Sequence, residues 1–480
     1  MDTKKLRQKI LDLAIRGKLV PQDPNDEPAS VLLERIRAEK EQLIKEGKIK
    51  RSKKSAATDK SHYENVPFEI PENWVWTTIE DIAESNIGLT YKPTDICANG
   101  VPVYRSNNIQ NRRICLKELV RVNTNILEKQ YLQEGDLLIC ARNGSRNLVG
   151  KCAIVDNLNE PTSFGAFMAV CRSALNPWIF QILNSEYFNT YLDDSNSTAI
   201  NQVTQKMLLA FQLPIPPAAE QERIISKLKQ WYEYIDEIED RKIELESYIK
   251  QTKSKILDLA ISGKLVSQDP NDEPAIELLK RINPAFQPCD NSHYENLPFE
   301  VPDGWCWAKI NDVTEFIKNG AQIKQFKGAS GIPITRIETI SNSELDMARM
   351  GYANITNGAE YKDYYIKDGD ILMSHINSRA HIGKCALCNV GENQIIHGMN
   401  LLRIRCSKQI LPEYMVYYFR STTFYNLIEP HIKNAVNQAS INITNLQKIL
   451  IPIPPYSEQR RVAFIVDKLF STIDTITAEL

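Results

Sequence analysis

Residue patterns that could catalyse a reaction occur in this sequence only as near misses. An adenine methyltransferase needs Asn or Asp before Pro-Pro-aromatic, but the nearest string, Ile453-Pro454-Pro455-Tyr456, has an aliphatic residue at that position. A nucleotide-binding loop needs four residues between Gly and Gly-Lys-Ser/Thr, whereas five separate Gly144 from Gly150-Lys151-Cys152. A nuclease pattern fails as well, because Gln322 stands where a carboxylate is required before Lys324. We therefore predict that the chain itself catalyses no reaction.

The cysteines and histidines do not form the pattern of a metal site. Cys385 and Cys388 are a single CxxC pair without a second pair, whereas structural zinc takes four ligands. The ten cysteines are scattered, mostly in apolar runs such as residues 137–140, which is typical of reduced, buried thiols in a cytoplasmic protein. His62 and His293 recur beside Tyr and are interpreted as packing or hydrogen-bonding residues. We expect no metal and no cofactor in this chain.

Composition and charge are those of a multidomain globular protein. A chain of 480 residues, 42% hydrophobic and 25% charged, is expected to form about three domains. Its 58 Lys and Arg against 60 Asp and Glu exclude a globally cationic protein, so any nucleic-acid surface has to be local. Charges interrupt residues 1–20, and no later window approaches the length of a membrane span. We expect neither a signal peptide nor a membrane anchor.

The sequence consists of two copies of one unit, which is visible as three repeated blocks. The strongest block is identical at 19 of 21 positions. The paired blocks are residues 9–29 with 255–275, 62–76 with 293–307, and 213–221 with 451–459.

Between the second and third blocks the two copies diverge. We call residues 77–212 the first variable segment and residues 308–450 the second variable segment. A sparse skeleton persists: Arg105 matches Arg336, Gly135-Asp136 matches Gly369-Asp370, and Gly150-Lys151-Cys152-Ala153 matches Gly383-Lys384-Cys385-Ala386. A common scaffold therefore carries two different faces.

The repeated flanks are predicted to be helical and to form a coiled coil. Apolar residues recur at alternating spacings of four and three from residue 224, after a Pro-Pro pair, to a helix end near Gly263. The predicted interface residues are Ile224, Leu228, Trp231, Ile235, Ile238, Leu245, Ile249, Ile256 and Leu259, with Val462, Val466, Leu469, Ile473 and Ile476 at the carboxy terminus, where the stripe reaches Leu480.

The repeat register predicts a circular organisation. The last residue corresponds to position 242 of the central helix and the first residue to position 247. Residues 1–17 and 458–480 together then imitate the unbroken helix 220–263, and the two long helical units pack antiparallel. Two independent tandem domains are the alternative, but they leave this register unexplained.

The predicted fold class is α+β (mixed α/β), with two pseudo-twofold-related domains joined by two long antiparallel coiled-coil helices. The basic tract 39–54 has no counterpart in the second copy and is interpreted either as a solvated linker or as a phosphate-contacting arm. The predicted segments are 1–60 (helix and basic linker), 61–212 (first domain), 213–292 (central helix and linker), 293–450 (second domain) and 451–480 (terminal helix).

The opening block at residues 5–40, its internal copy, the paired PIPP-x-x-EQ helix starts and the two divergent segments resemble the specificity subunit of type I restriction-modification enzymes. The resemblance covers essentially the whole chain. One departure is that the terminal helix ends without a further copy of the LDLAI-GKLV block. The amino terminus would then have to complete that helix.

This resemblance implies a protein that binds double-stranded DNA without acting on it. Each variable segment would be a target-recognition domain that reads one half of an asymmetric, two-part site. The helices would set the spacing and dock two modification (methyltransferase) subunits, which restriction (translocase/nuclease) subunits join. S-adenosylmethionine, ATP and Mg are then expected in the partner subunits, and none of them in this chain.

The candidate DNA-binding residues are polar side chains beside predicted strands, because Arg suits guanine, Asn suits adenine and both bind phosphates. Arg105 and Arg336 share a repeat position and are interpreted as phosphate contacts or as braces of the fold. The candidates are Lys92, Arg105, Asn107, Asn108, Arg112, Arg113, Arg142, Asn143 and Arg146 in the first variable segment, and Lys324, Lys327, Arg336, Glu338, Thr339, His375, Asn377 and Arg379 in the second.

Two other functions stay open at this point. A coiled-coil scaffold with two protein-binding modules explains the heptads and the two faces but not the Arg- and Asn-rich stretches. A stand-alone methyltransferase would have to bind S-adenosylmethionine with this chain alone.

Overall fold

A computed structural model of the chain describes residues 2–47, 66–195, 202–289, 297–326, 331–340, 343–355, 358–435 and 438–479. The chain divides into two compact units, Met1–Lys242 and Ile243–Leu480, and the division falls inside one long helix. His62, His293, Lys327, Leu480 and residues 48–54 of the basic tract lie outside the described residues.

The first unit is an α+β domain flanked by helices. Its helices are α1 (Thr3–Ile15), α2 (Ala29–Lys45), α3 (Ile79–Ile82), α4 (Asn176–Leu183), α5 (Glu186–Ser195), α6 (Gln205–Ala210) and the start of α7 (Ala218–Ile261). Its strands are β1 (Val75–Thr78), β2 (Glu84–Ile87), β3 (Ile96–Tyr104), β4 (Ile109–Gln110), β5 (Arg113–Ile114), β6 (Val120–Val122), β7 (Leu137–Cys140), β8 (Cys152–Ile154), β9 (Ser163–Phe164), β10 (Met168–Arg172) and β11 (Gln212–Ile215).

The second unit repeats this plan after the end of α7. Its further helices are α8 (Ala275–Ile282), α9 (Pro412–Phe419), α10 (Thr422–Ile428), α11 (Ile443–Lys448) and α12 (Tyr456–Glu479). Its strands are β12 (Cys306–Lys309), β13 (Thr314–Asn319), β14 (Gln325–Phe326), β15 (Ile332–Ile334), β16 (Gly351–Ala353), β17 (Ile371–Ser374), β18 (Ile376–Asn377), β19 (Cys385–Leu387), β20 (Leu401–Cys406), β21 (Lys433–Ala435), β22 (Gln438–Ser440) and β23 (Leu450–Ile453).

The two variable segments share a central sheet although their sequences diverge. The first has the strand order β2-β10-β7-β8 and the second has β13-β20-β17-β19, and all pairs are antiparallel. The two middle strands of each sheet are the most apolar, namely β10 and β7 in the first unit and β20 and β17 in the second. They pack under the helices that follow. The sparse sequence skeleton is therefore enough to specify one sheet twice.

Outside that sheet the two segments differ. The first adds a β6-β3-β9 sheet and the short hairpin β4-β5, whereas the second adds the sheets β14-β16-β15 and β18-β22-β21. Among the candidate DNA-binding residues, Arg113 and Asn377 lie in these outer strands, and several others lie in the turns next to them. The structural difference between the units therefore lies where a difference in recognition would be needed.

The three repeated blocks of the first unit meet at one buried carboxylate. Glu220, from the third block, accepts hydrogen bonds from Trp74 Nε1 (3.0 Å) in the second block and from Gln22 Nε2 (2.6 Å) in the first. Burial raises the pKa of Glu220, and both hydrogen bonds oppose that shift. Glu458 repeats the arrangement with Trp305 Nε1 (2.9 Å) in the second unit. Much of the sequence identity between the flanks therefore has a structural cause.

Each unit pairs two helical segments in antiparallel directions. In the first unit, Arg7 of α1 pairs with Asp236 of α7 (2.5 Å), while the loop after α1 reaches the start of α7 through an ion pair between Asp26 and Arg223 (2.6 Å). The matching ion pairs of the second unit, also 2.5 and 2.6 Å long, join Lys253 to Asp474 and Asp272 to Arg461. The wrap-around register between the chain ends stays a prediction.

The heptad residues divide into a buried and an exposed group. Those nearest the helix starts are buried, namely Ile224, Leu228, Ile235, Val462 and Val466. Trp231, Ile238 and Ile476 are 39%, 40% and 54% exposed. The half-buried remainder comprises Leu245, Ile249, Ile256, Leu259, Leu469 and Ile473. In the second half of α7 the fully covered stripe is Leu257, Ala260 and Ile261, because this helix also has to cover its own α+β domain.

The predicted fold class is confirmed as a mixed helix-and-strand structure with two repeated domains and a long helix, α7, of 44 residues. The predicted segment limits stay a prediction. All ten cysteines are free and eight are buried, and burial raises the pKa of Cys152 to about 12. Among the described helices, none combines the length and apolar character needed to cross a membrane.

Candidate nucleic-acid interface

In the first variable segment, the residues after β3 meet the loop after β7. Asn143 Nδ2 donates to Ser106 Oγ (3.2 Å), and Lys151 Nζ donates to the backbone oxygen of Ser106 (3.4 Å). Arg105 lies against the backbone of Gly165, where an added Cβ would sit 3.7 Å from Arg105 Cγ. The structure thus brings together two candidates, Arg105 and Asn143, with Lys151, which sequence reasoning did not select.

An exposed aromatic side chain adjoins this group. Phe167 is 62% exposed, and the guanidinium of Arg142 lies 5.5 Å from the centre of its ring. Three further candidates lie in or beside the outer strands: Lys92 and Arg113 are exposed and Asn107 is half-buried. Cations beside an exposed ring suit contact with a polyanion that also presents flat apolar groups.

Two candidates at the same repeat position are buried parts of a turn. Asn108 Oδ1 accepts from the N–H of Arg105 (3.0 Å), and its Nδ2 donates to two backbone oxygens, at 3.0 and 3.1 Å. Thr339 Oγ1 accepts from the N–H of Arg336 (2.9 Å). Both side chains are fully buried. We therefore assign Asn108 and Thr339 to the turn and leave them out of the interface proposed below.

Arg112 lies at the tip of the β4-β5 hairpin, where it and Asn111 have φ angles of +61° and +50°. Burial raises the pKa of Tyr232 in α7, and the charge of Arg112 opposes that rise. The same charge also opposes the rise that burial causes in the pKa of the Cys152 thiol. Arg112 therefore faces the helical frame of its own unit, and we assign it to the contact between hairpin and helix.

The second variable segment has a comparable but differently built surface. Lys324 Nζ lies 5.6 Å from the ring centre of Phe326, which is 45% exposed. Arg336 is paired with Glu338 (3.2 Å) at the surface. Asn377 Nδ2 donates to Ser374 Oγ (3.3 Å) in the short strand β18. These four candidates lie in or beside the strands that the first segment lacks.

His375 is buried, and this desolvation lowers its pKa to about 4. Its backbone oxygen accepts from the N–H of Ile441 (3.0 Å), which joins the loop to the segment before α11. A neutral, covered imidazole has little capacity to bind DNA phosphates. We assign His375 to the interior of the second unit.

One surface ion pair occurs at equivalent positions of both units. Arg146 pairs with Asp193 at the end of α5 (2.5 Å), and Arg379 pairs with Glu429 just after α10. Arg379 also donates to Asn434 Oδ1 (3.0 Å) in β21. The arginines are 233 positions apart and the carboxylates 236. Because exposed ion pairs contribute little to stability, stability alone does not account for finding this pair twice.

Within the described ranges, no three His, Cys, Asp or Glu side chains are grouped so that they could hold a metal ion. The family model for the type I restriction modification DNA specificity domain matches the chain twice, at residues 71–247 and 302–480. These two matches cover most of the chain. The chain belongs to this family of DNA specificity domains.

Curated relatives of this specificity family match nearly the full chain. The EcoAI specificity subunit of Escherichia coli is 28% identical over 98% of this chain and 90% of its own length. The EcoKI specificity subunit of E. coli strain K12 is 26% identical over 86% of this chain and 85% of its own length. One solved structure concerns complex assembly and conformational transition of the type I R-M system. The match to a chain of that structure spans 86% of this chain and 94% of the other, with 17% identity and a TM-score of 0.57. The fold is thus shared.

Sequence reasoning missed two residues of the candidate interface in this specificity-family chain, Lys151 and Phe167. Lys151 could have been found, because Lys384 occupies the same place in the repeated Gly-Lys-Cys-Ala block. Phe167 could not, because an aromatic residue before a buried strand is more often part of the core. Its exposure depends on a turn that only the structure reveals.

Proposed function

We propose that this chain reads an asymmetric, two-part DNA sequence, one half with each variable segment, and that it performs no chemistry of its own. Its helices set the distance between the two halves and dock two methyltransferase subunits. S-adenosylmethionine, ATP and Mg belong to those modification subunits and to the restriction subunits that join them in the cytoplasm. The assembled complex then acts as a site-specific deoxyribonuclease and adenine methyltransferase.

The observation that carries this proposal is the contrast between shared and different parts of the two units. The central sheet, the buried carboxylate and the helix contacts occur twice, whereas the outer sheets differ. Identical modules would read a palindrome, so different modules on a common frame fit an asymmetric site.

The proposed DNA surface comprises the exposed and half-buried candidates. It includes Lys92, Arg105, Asn107, Arg113, Arg142, Asn143 and Arg146 in the first unit, and Lys324, Arg336, Glu338, Asn377 and Arg379 in the second. Lys327 stays a candidate outside the described residues. Arg and Asn side chains supply both base-edge and phosphate contacts.

The proposed docking surface for the methyltransferase subunits comprises the exposed heptad residues Trp231 and Ile238 with Tyr234, which lies beside them on α7. Trp231 and Tyr234 of α7 are 39% and 50% exposed and contact each other with their ring centres 6.1 Å apart. Ile238, one turn further, is 40% exposed. Aromatic and apolar residues spaced i, i+3 and i+7 form one helix face that a partner helix can cover.

The function is tested by sequencing methylated adenine in DNA from cells that express this chain with its modification subunit. Cells that lack this chain are the control. We expect a split, asymmetric motif only when the chain is present. Replacing residues 77–212 with the variable segment of another relative should change one half of that motif and leave the other half intact.

Loss of the motif while the complex still assembles would favour the scaffold alternative. A motif whose two halves both change after the exchange would contradict the division of labour between the segments. A salt-dependent shift of a DNA fragment by the assembled complex gives an independent reading, because binding through phosphates weakens as salt rises.

The repeated surface ion pair leads to a separate prediction. Because Arg146 and Arg379 recur in both units, we expect them to contact phosphates rather than specific bases. Arg146→Ala should weaken DNA binding by the assembled complex at all sequences and lower the slope of log K against log salt by about 1. Asp193→Asn should act in the opposite direction, because it frees the guanidinium of Arg146.

Arg121→Ala is the matched control, since Arg121 is also paired at the surface, with Glu160 (2.5 Å). We expect it to leave the salt slope unchanged. The phosphate-contact prediction is wrong if Arg146→Ala changes the preferred base sequence, or if Asp193→Asn and Arg146→Ala shift the slope in the same direction.

A further inference from the structure

A four-residue turn occurs at the same place in both variable segments. In the first it comprises Gly165–Met168, closed by a hydrogen bond from the N–H of Met168 to the oxygen of Gly165 (2.8 Å). In the second it comprises Gly398–Leu401, closed in the same way (3.3 Å). Each turn leads into the second strand of the shared central sheet, β10 or β20. The two turns therefore share the closing hydrogen bond and the position in the sheet.

A close crossing of two backbone segments fixes each turn. A Cβ on Gly88 would lie 2.2 Å from the oxygen of Gly165, and a Cβ on Gly320 would lie 2.2 Å from the oxygen of Gly398. The N–H of Leu89 donates to the backbone oxygen of Phe164, and the N–H of Ala321 donates to that of His397, at 2.7 Å in both units. Only glycine permits this approach, so the turn is held against the edge of the sheet.

The tips of the two turns carry different side chains. In the first unit the tip is Ala166-Phe167, and Phe167 is 62% exposed. In the second unit it is Met399-Asn400, where Met399 is 43% exposed and Asn400 is also exposed. The backbone oxygen of Phe167 accepts the N–H groups of residues 141 and 142 (2.9 and 3.0 Å), so its position is well determined.

The chemistry of these tips differs in the way that base recognition requires. An apolar side chain such as Phe contacts the methyl group of thymine, whereas the amide of Asn pairs with the N6 and N7 edge of adenine. Arg105 adjoins the first turn, and Gln325 Nε2 adjoins the second, where it would lie 3.1 Å from a Cβ on Gly398. The first tip therefore adjoins a residue of the proposed DNA surface, and the second adjoins Gln325, the chain neighbour of Lys324 in that surface.

We propose that these two turns determine specificity: Phe167 contacts a thymine methyl group in one half of the site, and Asn400 hydrogen-bonds to an adenine in the other. This inference rests on the proposed function. Because each turn is held by backbone hydrogen bonds, exchanging the tip side chains alters what is read without removing the bonds that hold the turn.

The test exchanges the two tip residues one at a time. Phe167→Asn and Asn400→Phe are expressed with the modification subunit, and adenine methylation is mapped by sequencing. Phe167→Asn should lower methylation of the wild-type site by about ten-fold through one base pair, in the half that changes when residues 77–212 are exchanged. Asn400→Phe should change one base pair in the other half. Thermal unfolding checks that both variants fold like the wild type.

Ile96→Asn is the control. Ile96 lies in the same segment and is 50% exposed, but it is the first residue of β3. The turn adjoins the other end of that strand, at Tyr104. We expect its motif to be unchanged. The proposal is overturned if both tip variants methylate the wild-type motif with wild-type efficiency, or if either one changes the wrong half. A wild-type chain that directs no sequence-specific methylation would instead refute the proposed function.

Discussion

Replacing Asp370 by alanine is expected to lower the free energy of unfolding of the second unit by about 3–5 kcal/mol. Asp370 is fully buried and accepts two hydrogen bonds from Arg405, at 2.7 and 2.8 Å. Arg403, itself only 4% exposed in its side chain, lies 3.9 Å away. Removing the carboxylate leaves both guanidinium groups without their shared counter-charge in a poorly solvated place.

Asp370 also closes a turn, because it accepts the N–H of Lys367 (2.9 Å). Asp136 has the same two roles in the first unit, where it accepts from Arg172 (2.6 and 2.8 Å) and from the N–H of Gln133 (2.8 Å). Asp136→Ala should therefore destabilise the first unit by a similar amount. The repeated Gly-Asp pair is thus explained as an internal brace of each domain.

The measurement is urea unfolding at pH 7, with hydrogen exchange used to assign the loss to one unit. Glu429→Ala is the matched control, since it removes a carboxylate from an exposed arginine pair of the same unit. We expect it to stay within about 1 kcal/mol of the wild type. Equal effects of Asp370→Ala and Glu429→Ala would show that burial does not govern these two pairs.

The repeat made the frame predictable from the sequence. Blocks that are nearly identical in two copies had to share a structure, and the contact of Trp74 with Glu220 accounts for two of the repeated positions. The heptad spacing selected Ile224 and Leu228 as interface residues, and both are buried. It also selected Trp231, which is 39% exposed, because spacing alone does not say which apolar residues of a helix face the domain.

The interface was less predictable, because a loop sequence does not show which side chains turn inward. Asn108 and Thr339 were selected for their polarity, yet they are buried and hold a turn. Arg112 was selected for its charge, yet it faces the helical frame. Phe167 was not selected from the sequence, yet it is 62% exposed. The contacts of Asn108 and Thr339 are local hydrogen bonds of a turn, whereas Arg112 acts on Tyr232, which is distant in sequence.

Acid is expected to destabilise the second unit more than the first. His397 is fully buried, and this desolvation lowers its pKa to about 3; its Nε2 lies 2.7 Å from the backbone oxygen of Leu401. The pKa of His375 is lowered to about 4 by the same cause. The corresponding positions of the first unit hold Phe164 and Ala141, which do not titrate. The two histidines are therefore an asymmetric source of pH dependence.

The direction follows from which state binds the proton. An unfolded histidine titrates near pH 6.5, so below that pH the unfolded chain is protonated while the folded imidazoles stay neutral. Each histidine then removes about 1.4 kcal/mol of stability per pH unit until its folded pKa is reached. Between pH 7 and pH 5 the second unit should lose about 4 kcal/mol. Burial raises the pKa of Glu220 in the first unit and of Glu458 in the second, so these two carboxyls do not make the pH dependence of the two units differ.

The loss is measured as the free energy of unfolding at pH 7 and pH 5, with hydrogen exchange reporting each unit separately. His397→Gln keeps a hydrogen-bond donor for Leu401 but cannot titrate, so it should reduce the pH-dependent loss of the second unit by about half. Arg403 and His375 are the charged and titratable groups that also shift the pKa of His397. An equal loss of stability in both units would show that these histidines are not the source, and that groups common to both copies govern the acid response.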